Sequence, residues 1–127
     1  MENGLNEIQS VQGVQACFVA DNVGKIYASA PGPGLDDRDL QDISRLCLEA
    51  LVAVDQVEDQ ITELDFSTSA ATVLVRDYNS YILVILCDPD VNTSLIRLSI
   101  NVVSSQWQED QNIQRRIENH QMVREVL

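Results

Sequence analysis

A chain of 127 residues is long enough for one domain with its own core and too short for two of ordinary size. Its 45% hydrophobic and 22% charged residues are the balance of a soluble globular fold, and with only 5% aromatics the core must come mainly from Leu, Ile, Val and Ala. The 20 acidic residues outnumber the 8 basic ones to give a net charge of -12, which removes the basic footprint that nucleic acid and anionic lipid require, so neither is an expected partner.

Leu5, Ile8 and Val11 recur at three-residue spacing and predict a short amphipathic helix over residues 1–12. Gly13 breaks it. Val14 to Ala20 then reads as a strand, Asp21-Asn22-Val23-Gly24 as a tight turn whose Asn and Gly tolerate positive φ, and Lys25 to Ser29 as the returning strand. Pro31-Gly32-Pro33-Gly34 suits neither helix nor strand. No Gly-Lys-Ser/Thr follows it, and Asp36, Asp37 and Asp39 would repel phosphate, so it is a connection leading into an acidic helix N-terminus rather than a phosphate loop.

A long helix is predicted from about Asp37 to Val57, with Leu40, Ile43, Leu46, Cys47, Ala50, Leu51, Val54 and Val57 as its apolar stripe. Leu48 and Val52 fall outside the stripe, one turn apart, among Gln41, Arg45 and Gln56, and point to a second contact such as a neighbouring subunit. Three strands are expected next. Residues 61–67 alternate, with Thr62, Leu64 and Phe66 on one face and Glu63 and Asp65 on the other, as befits a sheet edge with one wet face. Ala70–Val75 and Tyr81–Cys87 are nearly continuous apolar runs, expected at the sheet centre and joined by a turn at Asp77-Tyr78-Asn79-Ser80.

Asp88-Pro89-Asp90 ends the sheet, with Asp90, Asn92 or Thr93 available as a helix N-cap. Beyond it Ile96, Leu98, Ile100 and Val102 alternate as in a strand, while Leu95, Ser99, Val102, Val103 and Gln106 fit a helix; periodicity leaves both open. Residues 1–107 are expected to form the domain, and 108–127 a polar helical tail with Ile113, Ile117 and His120 on one face. Trp107, at the boundary, is either an anchor for the helix end or, with Ile113 and Ile117, a contact for a partner.

Catalytic chemistry has few candidates. The only histidine, His120, sits in the tail with no cysteine near it in sequence and is expected at the surface. The acid cluster at Asp36, Asp37, Asp39 and Asp42 lacks the spacing and central glycine of a calcium loop. Arg97 and the Arg115-Arg116 pair offer no reason to assign an arginine finger. Cys17, Cys47 and Cys87 are an odd number, far apart, each in an apolar run; they read as small buried hydrophobes of a reducing compartment, the cytoplasm. No enzyme, metal or cofactor is expected. A small-molecule sensor is disfavoured because no polar cluster interrupts the apolar runs to orient a ligand.

Two stretches, Gly13 to Ser29 with its Asp21-x-x-Gly24 turn and Cys87 to Leu98 with Asp88-Pro89-x-x-Asn92-x-x-Leu95-x-Arg97, together with the helix between them, resemble the Roadblock family, a domain found widely in prokaryotic GTPase regulators. The similarity covers roughly residues 5–106. It implies an α+β fold, in the order α-β-β-α-β-β-β-α. A five-stranded antiparallel sheet would carry the long helix on one face and the terminal helices on the other, and the segment after Asp90 would be helical. It further implies a homodimer joined through the long helix and third strand, with Leu48, Val52, Leu64 and Phe66 at the seam. The dimer would bind a Ras-like small GTPase, with GTP and magnesium belonging to that partner. The alternative is a structural adaptor with no effect on nucleotide turnover.

Overall fold

The computed structural model describes residues 1–55 and 62–126, with side-chain surroundings through residue 120. The elements are α1 (Glu2–Gln9), β1 (Val14–Ala20), β2 (Ile26–Ala30), α2 (Asp37–Asp55), β3 (Glu63–Ser67), β4 (Thr72–Asp77), β5 (Ile82–Cys87), α3 (Thr93–Glu109) and α4 (Gln111–Val126). Val57 and Ile61, assigned above to a helix end and a strand start, lie outside the described residues. The strands form one sheet in the order β2-β1-β5-β4-β3, antiparallel throughout, so β3, β4 and β5 make the expected meander. The chain is α+β with the predicted layering.

The alternation of side chains across the strands builds two cores. On one face Cys17, Val19, Leu74, Leu83 and Ile85 meet Leu5 and Ile8 of α1 and Ile96, Ile100, Val103 and Trp107 of α3. On the other, Ala16, Phe18, Val73, Val75, Val84 and Leu86 meet Leu40, Cys47 and Leu51 of α2. Burying each of the larger aliphatic side chains contributes about 1.5–3 kcal/mol. The three cysteines are free and buried, with burial pushing the Cys17 and Cys47 thiols up to about 12 and Cys87 to about 11. Thiols held protonated in this way are poor nucleophiles.

The ambiguous segment after Asp90 is helical. Asn92 caps α3, its Oδ1 accepting from the Ser94 amide at 3.0 Å. Gly4 lets α1 and α3 touch: a Cβ there would stand 2.7 Å from both Trp107 Nε1 and Val103 Cγ1.

The long helix differs from expectation in its rotation. Its buried residues are Leu40, Ser44, Cys47 and Leu51, while Leu46, assigned to the stripe, is 62% exposed. The cause is Ser44, whose hydroxyl donates to the Gly24 carbonyl at 2.8 Å and so can face the core. Gln41 Nε2 donates to the same carbonyl at 2.6 Å. Gly24 has φ +90, and a Cβ on it would lie 2.9 Å from Leu48 Cδ1, so only glycine lets the turn and helix close together.

Candidate interaction surface

Among the described residues, edge strand β3 pairs only with β4. Leu64 and Phe66 point to the α2 side and remain half-buried, whereas Glu63, Asp65 and Ser67 face the other way and are exposed. An edge carrying two incompletely covered apolar side chains is open to association.

On the same side of the sheet the exposed face of α2 carries large apolar groups. Leu46 and Val52 are 62% and 59% exposed. At about 100° per residue they stand about 120° apart around the helix, on different flanks. Gln41, Ser44 and Leu48 form the flank that meets the β1–β2 turn. Ile43, Leu46, Ala50 and Ala53 form the opposite flank, turned from that hairpin, and β3 is the strand farthest from it in the sheet order. Leu48 therefore needs correction. It is half-buried against its own hairpin, so its place off the predicted stripe has an intramolecular cause. Val52 is exposed as the sequence suggested.

On the far side of the sheet, Asp65 is the junction between the edge and α3. Its two carboxylate oxygens accept from Arg76 Nη1 and Arg97 Nη2, each at 2.6 Å. Arg76 is buried, although it ends a run that reads as purely apolar, and its Nη1 also donates to the Val75 carbonyl. Arg97 is thus committed to an ion pair, as a surface arginine of the domain body would be.

The three residues offered as partner contacts are instead turned inward. Trp107 and Ile117 are buried in the core beneath α3, and Ile113 is half-buried against it. The tail is helical, as expected, and folds back on the domain. Arg116 makes a two-pronged contact with Glu2 at 2.8 and 2.9 Å and donates to the Tyr27 carbonyl at 3.0 Å. The Arg116 guanidinium holds the Glu2 carboxyl down at about 2. His120 is half-buried, its ring stacked 4.5 Å from that of Tyr27 and its Nε2 3.0 Å from Asp21 Oδ2. Asp21 is itself buried, and Oδ1 accepts from the Val23 and Lys25 amides. Burial pushes its carboxyl up, but the bonds from His120, Lys25 and Val23 outweigh this and hold it below its ordinary value. Sequence reasoning missed this clamp; Asp21 carried a signal only as a turn residue.

Among the described residues, no group of three His, Cys, Asp or Glu side chains is arranged to hold a metal ion, and no helix is long and apolar enough to cross a membrane. The most prominent clefts are open. One, of about 470 Å³, lies between Gly13, Asp88 and Leu95. The arrangement offers surfaces for association rather than a converging set of reactive groups.

No protein-family model matches the sequence, and no curated protein matches it in sequence. Solved structures do match the fold. A Roadblock/LC7 domain from Streptomyces avermitilis superposes with a TM-score of 0.70 at 9% identity, over 85% of this chain and 94% of that one. The gliding protein MglB from Thermus thermophilus gives 0.72 at 15% identity, over 92% and 87%. MglB from Myxococcus xanthus gives 0.69 at 16% identity, over 82% and 88%. The chain therefore has the Roadblock/LC7 fold.

Proposed function

We propose that the chain is a non-catalytic homodimer that binds a Ras-like small GTPase and regulates or holds it, the nucleotide and magnesium belonging to the GTPase. The reading rests on one observation above the others: among the described residues β3 ends the sheet with no partner on its outer side and leaves Leu64 and Phe66 half-covered. A second copy pairing there would continue the sheet, cover both side chains and place Leu46 of α2 at the seam; Val52, on the helix flank of Gln41 and Leu48, would lie farther from it. Leu48, already occupied by the β1–β2 turn, contributes little. The GTPase comes from the resemblance of the Asp21–Gly24 turn and the Asp88–Arg97 segment to Roadblock-type GTPase regulators, with the likeness in fold to the MglB structures as support. Buried thiols suit the reducing cytoplasm, where such a partner resides.

Light scattering tests the assembly. The wild type should run at twice the 14.2 kDa chain mass, and Leu46→Asp, at an exposed position that leaves the monomer intact, should halve it. A wild-type monomer, or a Leu46→Asp/Phe66→Ser dimer, refutes the seam. For the partner, a pull-down that enriches no small GTPase in either nucleotide state refutes the reading. Hydrolysis by a captured GTPase, with and without this protein, then divides regulator from adaptor: unchanged turnover despite binding identifies an adaptor.

A further inference from the structure

On the face of the sheet opposite α2, helix α3 carries a second apolar surface. Leu95, Leu98 and Val102 are 62%, 60% and 48% exposed. They stand at i, i+3 and i+7, within about 60° of one another and roughly opposite the buried residues Ile96, Ile100, Val103 and Trp107. The stripe is about 10 Å long, two helical turns. At its N-terminal end Leu95 enters the open cleft of about 470 Å³, where half-buried Val91 supplies an apolar wall and Asp88 and Asp90 supply carboxylates.

Charge is distributed unevenly along this surface. Asp88 and Asp90 flank one end, and Glu109 and Asp110 the other; all four are exposed. The side chains of Asp90 and Glu109 make no hydrogen bond or ion pair among the described residues. Between these ends α3 has a single charged residue, Arg97, on the flank and neutralised by Asp65 at 2.6 Å. A second copy of this helix is a poor occupant, because parallel or antiparallel stacking sets acids against acids at both ends. Complementarity favours a partner with an apolar middle and basic ends.

We propose that the α3 face binds an amphipathic helix of a basic partner, its apolar side on Leu95, Leu98 and Val102 and its Lys or Arg residues at the acidic ends. One leading apolar side chain seats in the cleft beside Val91, as in other helix-on-groove contacts. The proposal does not rest on the β3–α2 dimer, since it uses the other face of the sheet.

The probe is a fluorescein-labelled, amidated 16-residue peptide of alanines, with leucines at helical spacing and two lysines at each end. A control has the same composition with the leucines scrambled around the helix. The striped peptide should bind full-length protein at least tenfold more tightly than the control. Leu98→Ser, at an exposed position, should weaken it about tenfold, while Val23→Ser, exposed on the β1–β2 turn, leaves it unchanged. Raising the salt should weaken binding severalfold through the acidic ends. Equal binding of both peptides means charge alone acts and overturns the proposal, as does an indifferent Leu98→Ser variant. Should light scattering find that Leu98→Ser lowers the mass of the protein alone, the occupant is a second copy and the proposal fails.

Discussion

Replacing Asp21 by Ala and by Asn separates what its two carboxylate oxygens do. Oδ1 accepts from the Val23 and Lys25 amides at 3.0 and 2.9 Å, and Oδ2 meets His120 at 3.0 Å. Asn retains one carbonyl oxygen for the two amides and loses the charge and the histidine's acceptor. Ala loses all three contacts and leaves two part-buried amides unpaired. Hydrogen bonds to a charged group contribute about 1.5–3 kcal/mol each, and an unpaired buried donor costs about 1–3 kcal/mol. Taking the lower values because the amides are only part-buried, Asp21→Ala should cost about 3–4 kcal/mol and Asp21→Asn about 1.5 kcal/mol. Urea unfolding followed by the fluorescence of Trp107, the only tryptophan, measures both at one fixed protein concentration, since association shifts apparent stability. The pH profile supplies the sign. A carboxyl held below its ordinary value of 3.8 stabilises the fold fully above that value, and the contribution is lost as pH falls through its folded value. The gap between wild type and Asp21→Asn should therefore narrow below about pH 4. Equal costs for the two variants, or a gap that widens in acid, would refute the clamp.

Other consequences follow from the packing. Gly4→Ala should cost about 1–3 kcal/mol in the same urea assay, since its methyl group would collide with Val103 and Trp107, and should also shift the Trp107 emission. Ser44→Ala and Gln41→Ala should each cost about 1 kcal/mol, because the Gly24 carbonyl keeps one donor in either variant. The double variant leaves that oxygen bare and should exceed the sum by about 1 kcal/mol; strict additivity in the thermodynamic cycle would contradict the shared acceptor. Arg76→Met should cost about 2 kcal/mol in urea, below the range for a fully buried pair, because the Asp65 side chain stays 29% exposed and keeps Arg97.

The hairpin, the two central strands and the meander were legible because continuous apolar runs between turn residues have few other solutions. Helix α3 was not, for a physical reason. It buries Ile96, Ile100 and Val103 on one side while presenting Leu95, Leu98 and Val102 on the other, and two helical stripes on opposite faces superpose into apparent alternation. The rotation of α2 was hidden because a satisfied serine, rather than another leucine, faces the core. The docking of α4 had no local signal. Its polar contacts join His120 to Asp21 and Arg116 to Glu2, 99 and 114 residues apart in sequence, and periodicity carries no information over such separations.

The position of Asp65 connects the β3 edge to the exposed stripe of α3. Its backbone belongs to the edge strand, paired on one side alone among the described residues, and its side chain grips Arg97, the residue between Ile96 of the core and Leu98 of the exposed stripe. The same carboxylate holds buried Arg76 in β4. A shift of β3 on pairing with a second copy would therefore reach α3 through a guanidinium that has no other ion-pair partner among the described residues. It would leave the apolar core beneath α3 untouched, since Ile96, Ile100 and Val103 rest on β4, β5 and α1 rather than on the edge. Coupling between edge and stripe would then run through charge rather than packing. Replacing Asp65 would weaken it, and replacing core residues of equal volume would not.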